Sequence, residues 1–304
     1  MKPISVNTCD GLVIYLPKKG ITIRLGRDES QAVFAKKGKE YIPGADYHPE
    51  LVHINITNEC TRKCDYCYVN RGEYQMPFED FKTVVDKCVE NKVFQITIGG
   101  GEPFLHKDIQ RIVEYCTNKI NLCTTTNGDI VLPNEVMQQF KQVNVSYHED
   151  MENLRTTLEG LKLQGVPKLG INFIYNKATM HLVEQVHDLA FGLDAELLLL
   201  QYKPIREQDW SLYIGPEETF KVAKELAGQR KVSIAVDGAM CLKCEQKKKF
   251  MTIGVKGEVY PCSFIHEPNM GNLITGNFQS IWKNRGEVIT CPYLAKEDQL
   301  KLKQ

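Results

Sequence analysis

The sequence has no net charge, no long apolar run and few histidines, and each lack removes a class of function. Thirty-eight basic residues meet thirty-eight acidic ones. No basic field draws the chain to nucleic acid or to an anionic membrane surface, so neither is an expected partner. No apolar stretch approaches the ~20 residues of a membrane-spanning helix. The start, Met1-Lys2-Pro3-Ile4-Ser5, has no apolar core of a secretion signal, and a cytoplasmic location is the expectation. The seven histidines show no metal-ligand spacing, and no Ser/His/Asp constellation stands out for nucleophilic catalysis.

Cysteine, by contrast, is plentiful, with eleven in 304 residues. An odd count without a secretion signal argues against a disulfide framework and for metal or redox chemistry. Seven of them are grouped: Cys60, Cys64 and Cys67 in one place, and Cys241, Cys244, Cys262 and Cys291 near the end. Cys88 and Cys116 fall on helix faces and read as core thiols. Cys123 sits on a strand.

Residues 1–50 carry two alternating apolar stretches, Leu12–Leu16 and Ile21–Leu25, around Pro17-Lys18-Lys19-Gly20. They predict a β-hairpin followed by a polar loop. From residue 51 strands and helices alternate. Strands are predicted at 51–57, 93–98, 121–125, 143–146, 168–175, 196–201 and 232–236. Helices are predicted at 77–92, 107–117, 133–142, 151–163, 180–193 and 216–227. The helix at 77–92 should bury Phe81, Val84, Val85, Cys88 and Val89 on one face. This rhythm predicts an α/β fold with a parallel sheet, a partial (β/α)6 TIM-like barrel over residues 51–236, with its site at the C-terminal ends of the strands. Residues 237–304 break the rhythm with a hairpin signal at Gly254–Gly257 and one short helix, and read as a small cysteine-rich subdomain.

The segment after the first barrel strand is Cys60-Thr61-Arg62-Lys63-Cys64-Asp65-Tyr66-Cys67, a C-x3-C-x2-C pattern. Random placement of eleven cysteines would give roughly 0.014 such patterns per chain. Three thiolates this close suit an iron–sulfur cube with one iron left open, or a structural zinc knuckle.

The segment, Tyr66 included, resembles the signature of the radical S-adenosylmethionine (SAM) superfamily. Gly99-Gly100-Gly101-Glu102-Pro103 after the second strand, and Thr125-Thr126-Asn127-Gly128 after the third, extend the resemblance. It implies a catalytic [4Fe–4S] cluster on Cys60, Cys64 and Cys67, with SAM bound at its open iron. It also implies cofactor contacts from Tyr66, Gly99, Gly100, Gly101, Glu102, Thr126, Asn127, Ser146, Asn172 and Gln201. Cleavage of SAM to a 5′-deoxyadenosyl radical that takes hydrogen from a substrate is the implied chemistry. Cys244, Gly257, Cys262, Gly271-Asn272 and Ile281-Trp282 resemble the superfamily's SPASM and twitch extensions. Only Cys291 follows Trp282, fewer than a full SPASM extension carries. Cys241, Cys244, Cys262 and Cys291 are thus expected to hold one auxiliary [4Fe–4S] cluster, with a four-thiolate zinc site as the competing reading.

The predicted mouth carries Tyr147, His148, Glu149, Asn176, Lys177, Tyr202, Lys203, Arg206 and Asp237, mixed in charge and rich in hydrogen-bonding groups. A polyphosphate would favour a more uniformly basic rim. A precursor peptide is the expected substrate and a small metabolite the alternative. A flavodoxin or ferredoxin is the expected kind of electron donor. A non-catalytic iron–sulfur carrier is the reading from a different class.

Overall fold

The computed structural model describes all residues except 45, 205–206, 230–231, 237–248, 265, 268 and 285–304; side chains at 207–209 are also outside the description. Cys241, Cys244, Cys291, Arg206 and Asp237 therefore lie outside the described residues.

The N-terminal hairpin forms the second and third strands of a three-stranded antiparallel sheet in the order β1 (Ile4–Thr8), β2 (Gly11–Leu16), β3 (Ile21–Gly26). The stretch expected to be a polar loop begins instead with a helix, α1 (Arg27–Ala35). It escaped a reading by apolar period because a hydroxyl anchors it. Ser30 is fully buried, its Oγ accepting the Leu12 N–H at 2.9 Å and donating to the Gly26 carbonyl at 2.6 Å.

The barrel strands are β4 (Leu51–Thr57), β5 (Gln95–Gly100), β6 (Asn121–Thr126), β7 (Gln142–Ser146), β8 (Leu169–Tyr175), β9 (Glu196–Gln201) and β10 (Ile234–Val236). All pair in parallel in chain order. The helices between them are α2 (Phe78–Glu90), α3 (Ile109–Cys116), α4 (Asn134–Met137), α5 (Met151–Leu163), α6 (Val183–Leu193) and α7 (Pro216–Gln229). The helix expected over 133–142 is one turn only. Phe140 drops into the core at 0% exposure, the Lys141 N–H already bonds the Leu122 carbonyl, and Gln142 opens β7. On α2 the apolar face buries Phe81, Val84, Val85 and Cys88, while Val89 stays exposed at 37%.

Strand alternation divides the barrel residues. Val52, Ile54, Ile96, Ile98, Val143, Val145, Ile171, Phe173, Leu197 and Leu199 join one core with the helices. The intervening residues face inward and are largely polar: His53, Asn55, Thr97, Thr125, Asn144, Asn172 and Glu196. Beyond the barrel run β11 (Phe250–Ile253) and β12 (Val259–Tyr260), joined by the expected turn over Gly254–Gly257, and then α8 (Phe278–Asn284). β11 pairs in parallel with β4, Phe250 opposite Leu51 and Thr252 opposite His53. The C-terminal hairpin thus continues the barrel sheet past its first strand, in the order β10-β9-β8-β7-β6-β5-β4-β11-β12.

Candidate active site

The cysteine loop leaves the top of β4 and is strapped to the loop after β6. Thr61 Oγ1 donates to Asp129 at 2.7 Å, and Arg62 forks onto the same carboxylate, its Nε lying 2.9 and 3.1 Å from the two oxygens. Asn127 Nδ2 donates to Thr61 Oγ1 at 2.8 Å. The Arg62 hydrogen bonds hold the Asp129 carboxyl below the usual carboxylate range. A bidentate guanidinium–carboxylate fork fixes orientation as well as distance, so this strap sets the loop that carries the thiols. Arg62 and Asp129 went unnoticed in the sequence; the only signal was that Asp129 directly follows the Thr-Thr-Asn-Gly motif.

Cys60, Cys64 and Cys67 are all half-buried free thiols. Cys60 Sγ accepts the Arg62 backbone N–H at 3.5 Å and lies 3.9 Å from Asn127 Nδ2. Burial pushes the Cys64 thiol up, a hydrogen bond to Tyr66 pulls it down, and the neighbouring Cys67 and Cys60 push it up further. Cys64 thus shares one electrostatic neighbourhood with Cys60 and Cys67, which bound cationic iron would relieve. The loop borders a cleft of about 550 Å³ lined in part by Asn58, Cys60, Arg71 and Leu105. Among the described residues no three His, Cys, Asp or Glu groups gather as a single metal ion requires. Three thiols on one loop are the ligand type an iron–sulfur cube takes, with one iron left open. The donor set fits an iron–sulfur cluster.

Tyr66 Oη and Cys64 Sγ both meet His148 Nδ1, at 2.9 and 3.6 Å. Burial raises the Tyr66 phenol and lowers His148 to about 4, with Arg62 adding to the latter shift. His148, expected only near the mouth, therefore stands against the cysteine loop.

The three glycines of the second motif are tight against protein. A Cβ on Gly101 would lie 2.0 Å from the Glu59 carbonyl oxygen, and one on Gly100 would lie 2.2 Å from that of Thr57, at a φ of +111°. A Cβ on Gly99 would lie 2.2 Å from His53 Nε2. Only glycine lets this loop seat against β4 and the start of the cysteine loop, where Gly101 and Glu102 donate to the Thr57 and Glu59 carbonyls at 2.8 and 2.7 Å. Glu102 is 1% exposed. Its carboxylate accepts from Asn127 N at 2.8 Å, Thr126 Oγ1 at 2.9 Å and Phe104 N at 3.2 Å. It thus buckles the second loop to the third. Burial raises its pKa while those three donors lower it.

On the other side of the barrel, Asn172 is held in an amide chain. Asn144 Nδ2 donates to its Oδ1 at 2.9 Å, and its Nδ2 reaches Thr125 Oγ1 at 3.3 Å. Ser146 is half-buried at the end of β7. Gln201 gives its amide to Tyr213 Oη at 2.8 Å and to the Ile214 carbonyl at 3.3 Å. Asn176 caps its own turn, its Oδ1 accepting from Ala178 and Thr179 N–H at 2.8 and 3.0 Å. Tyr147 is buried against Phe173. Cys123 is buried, and the desolvation pushes its thiol up to about 12.

Of the four C-terminal cysteines only Cys262 is described. Its Sγ accepts the Phe264 backbone N–H at 3.5 Å, the same two-residue-on contact that Cys60 makes with Arg62. Amides aimed at sulfur suit a thiolate that ligates iron.

Comparison with known proteins agrees with this arrangement. Residues 54–158 match the Radical SAM superfamily, and residues 244–301 match the iron–sulfur cluster-binding domain SPASM. A probable GTP 3',8-cyclase of Methanococcus vannielii is 28% identical over 176 residues, 50% of this chain and 58% of that protein. The antilisterial bacteriocin subtilosin biosynthesis protein AlbA of Bacillus subtilis is 22% identical over 294 residues, 86% of this chain and 65% of that protein. The matches thus span less than two thirds of those relatives' own lengths. Streptococcus suis SuiB bound to its precursor peptide SuiA shares the fold, with a TM-score of 0.72 at 15% identity over 92% of this chain and 87% of that one. The two domain matches together imply a SAM-binding [4Fe–4S] cluster, SAM and auxiliary iron–sulfur clusters.

Proposed function

Starting from a chain with the two domains of a radical SAM enzyme, radical SAM and SPASM, we propose that it oxidatively modifies a ribosomally made peptide. The observation that carries the chemistry is the set of three half-buried thiols on one loop, strapped to Asp129 and seated against Gly99–Glu102. When bound, the cluster and SAM supply a 5′-deoxyadenosyl radical; the protein positions them and keeps side reactions out. Cys60, Cys64 and Cys67 hold the catalytic cluster. Tyr66, Thr126, Asn127, Ser146, Asn172 and Gln201 are its cofactor contacts, while Glu102 and the glycines fix the loop. Cys241, Cys244, Cys262 and Cys291 hold one auxiliary [4Fe–4S] cluster. A flavodoxin or ferredoxin in the cytoplasm supplies electrons.

For the substrate, the reach of the likenesses favours a peptide. The similarity to a protein named for GTP cyclisation covers half of this chain, whereas that to a bacteriocin biosynthesis protein covers 86%. The expected mouth, with Tyr147, His148, Glu149, Lys177 and Lys203 among its residues, is mixed in charge and in hydrogen-bonding groups, which suits a peptide backbone better than a polyphosphate. The test is to incubate the reduced, reconstituted chain with SAM and a precursor peptide encoded beside its gene. Loss of two hydrogens from the peptide, matched by 5′-deoxyadenosine, supports the reading. An unchanged peptide mass with no deuterium gained from heavy water moves it to a small metabolite. Absence of 5′-deoxyadenosine under all conditions returns the chain to the class of iron–sulfur carriers.

A further inference from the structure

The segment Cys262-Ser263-Phe264 does something its cysteine alone does not require: it reaches into the mouth of the barrel. Ser263 is buried, its Oγ 2.9 Å from His53 Nδ1 and 3.0 Å from Thr252 Oγ1. The other nitrogen of that imidazole fills the space where Gly99 would carry a Cβ. One ring therefore touches both the glycine loop and the residue beside Cys262. Phe264 makes a second contact. Its ring packs on Tyr68, the residue after Cys67, with centroids 4.4 Å apart at 54°. Lys203, only 9% exposed, holds its ammonium 4.0 Å from the same ring. His266 Nε2 bonds the Ser263 carbonyl at 3.0 Å and stacks near Tyr260, tying the turn back to β12. So Cys67 is one residue and Cys262 two residues from a ring, and the two rings touch.

We propose that Phe264 and Tyr68 are positioning residues that fix the distance between the two iron–sulfur sites, with His53 and Ser263 as the second point of attachment. The proposal rests on the reading that Cys262 ligates an auxiliary cluster. Two attachment points orient a short segment where one would leave it free to pivot. The aromatic pair supplies broad ring-to-ring contact at a defined geometry. A fixed separation matters because both electron transfer and magnetic interaction between two clusters fall steeply with distance.

The experiment uses the full chain, reconstituted anaerobically and reduced. Iron content and the microwave-power saturation of the electron paramagnetic resonance signal of the Cys60/Cys64/Cys67 cluster are measured at low temperature. A nearby second paramagnet speeds that cluster's relaxation, and Cys262→Ala should abolish the effect while lowering the iron from about 8 to about 4 per chain. Phe264→Ala and Tyr68→Ala should keep the iron and slow the relaxation to the Cys262→Ala value. Phe264→Tyr and Tyr68→Phe, which keep both rings, should relax like the unchanged chain. Loss of the auxiliary iron in Phe264→Ala with recovery in Phe264→Tyr also supports the proposal. Unchanged relaxation in Phe264→Ala and Tyr68→Ala overturns it and leaves the Cys262 reading standing. Iron loss in Phe264→Tyr as well overturns it. A Cys262→Ala chain that keeps all its iron overturns the reading and the proposal together.

Discussion

The two halves of the barrel mouth are built differently. After β4, β5 and β6 the loops bind one another: Thr61 and Arg62 to Asp129, Gly101 and Glu102 to the β4 loop, Asn127 and Thr126 to Glu102. After β8 and β9 the side chains mostly hold their own surroundings: Asn176 its own turn, Gln201 the following segment. The first half is a frame cross-braced by side chains; in the second, among the described residues, the loops after β8 and β9 meet through backbone, the Lys177 N–H donating to the Leu212 carbonyl at 3.0 Å. A cofactor common to many reactions suits a rigid frame, and substrates that differ suit loops tied by fewer side chains. The radical SAM match ends at residue 158, within α5, near where the bracing ends.

The largest expected effect strikes the frame at its metal ligands. Replacing Cys60, Cys64 and Cys67 together with Ala should abolish 5′-deoxyadenosine formation, read by chromatography, while the iron bound by the C-terminal set remains. Persistent product would sink the assignment of the frame.

Next comes a direct contrast between the halves. Glu102→Ala strips one buried carboxylate from three donors in two loops and should cost about 3 kcal/mol in chemical denaturation. Asn176→Ala removes a cap confined to one turn and should cost about 1 kcal/mol. Equal losses would break the distinction between cross-braced loops and loops tied by fewer side chains.

Acid should also find the first half first. His53 has its pKa lowered to about 4 by burial, against an ordinary value of 6.5. Above pH 6.5 the imidazole is neutral in both states and stability is full. Below it the unfolded chain takes up a proton that the folded chain refuses, so the share of stability owed to His53 falls by about 1.4 kcal/mol per pH unit until about pH 4. His53→Gln should flatten denaturation midpoints measured between pH 6.5 and 4.5; an unchanged slope would acquit His53.

The smallest effect belongs to the second half. Ser146→Ala should shift stability by less than about 0.5 kcal/mol yet raise the SAM concentration needed for half-maximal cleavage. A Tm change without a kinetic one would make Ser146 part of the scaffold.

How much of this the sequence disclosed follows the same divide. The strand–helix rhythm gave the barrel because Val and Ile alternate on β4, β5 and β7 and Leu runs unbroken along β9. The cysteine and glycine motifs announced the frame because their residue types are rare and closely spaced. What those residues do was less legible. The glycines prove tight against Thr57, Glu59 and His53, partners 40 or more positions away that no local pattern names. Glu102 is a buckle whose donors come from the next loop. α1 was missed because a buried serine, rather than an apolar stripe, docks it onto β2.

The pairing of β11 with β4 has a consequence for how the chain is made. It joins Phe250 to Leu51 across roughly 200 residues, and contacts so distant in sequence form late. At roughly 5–20 residues per second, a ribosome needs on the order of 10–40 s after finishing β4 before β11 can emerge. For that interval the outer edge of the first barrel strand has no partner from β11 and is a template for strands of other chains. A transcript truncated before codon 250 should therefore yield a protein that aggregates through Leu51–Thr57, even with its three-cysteine loop complete.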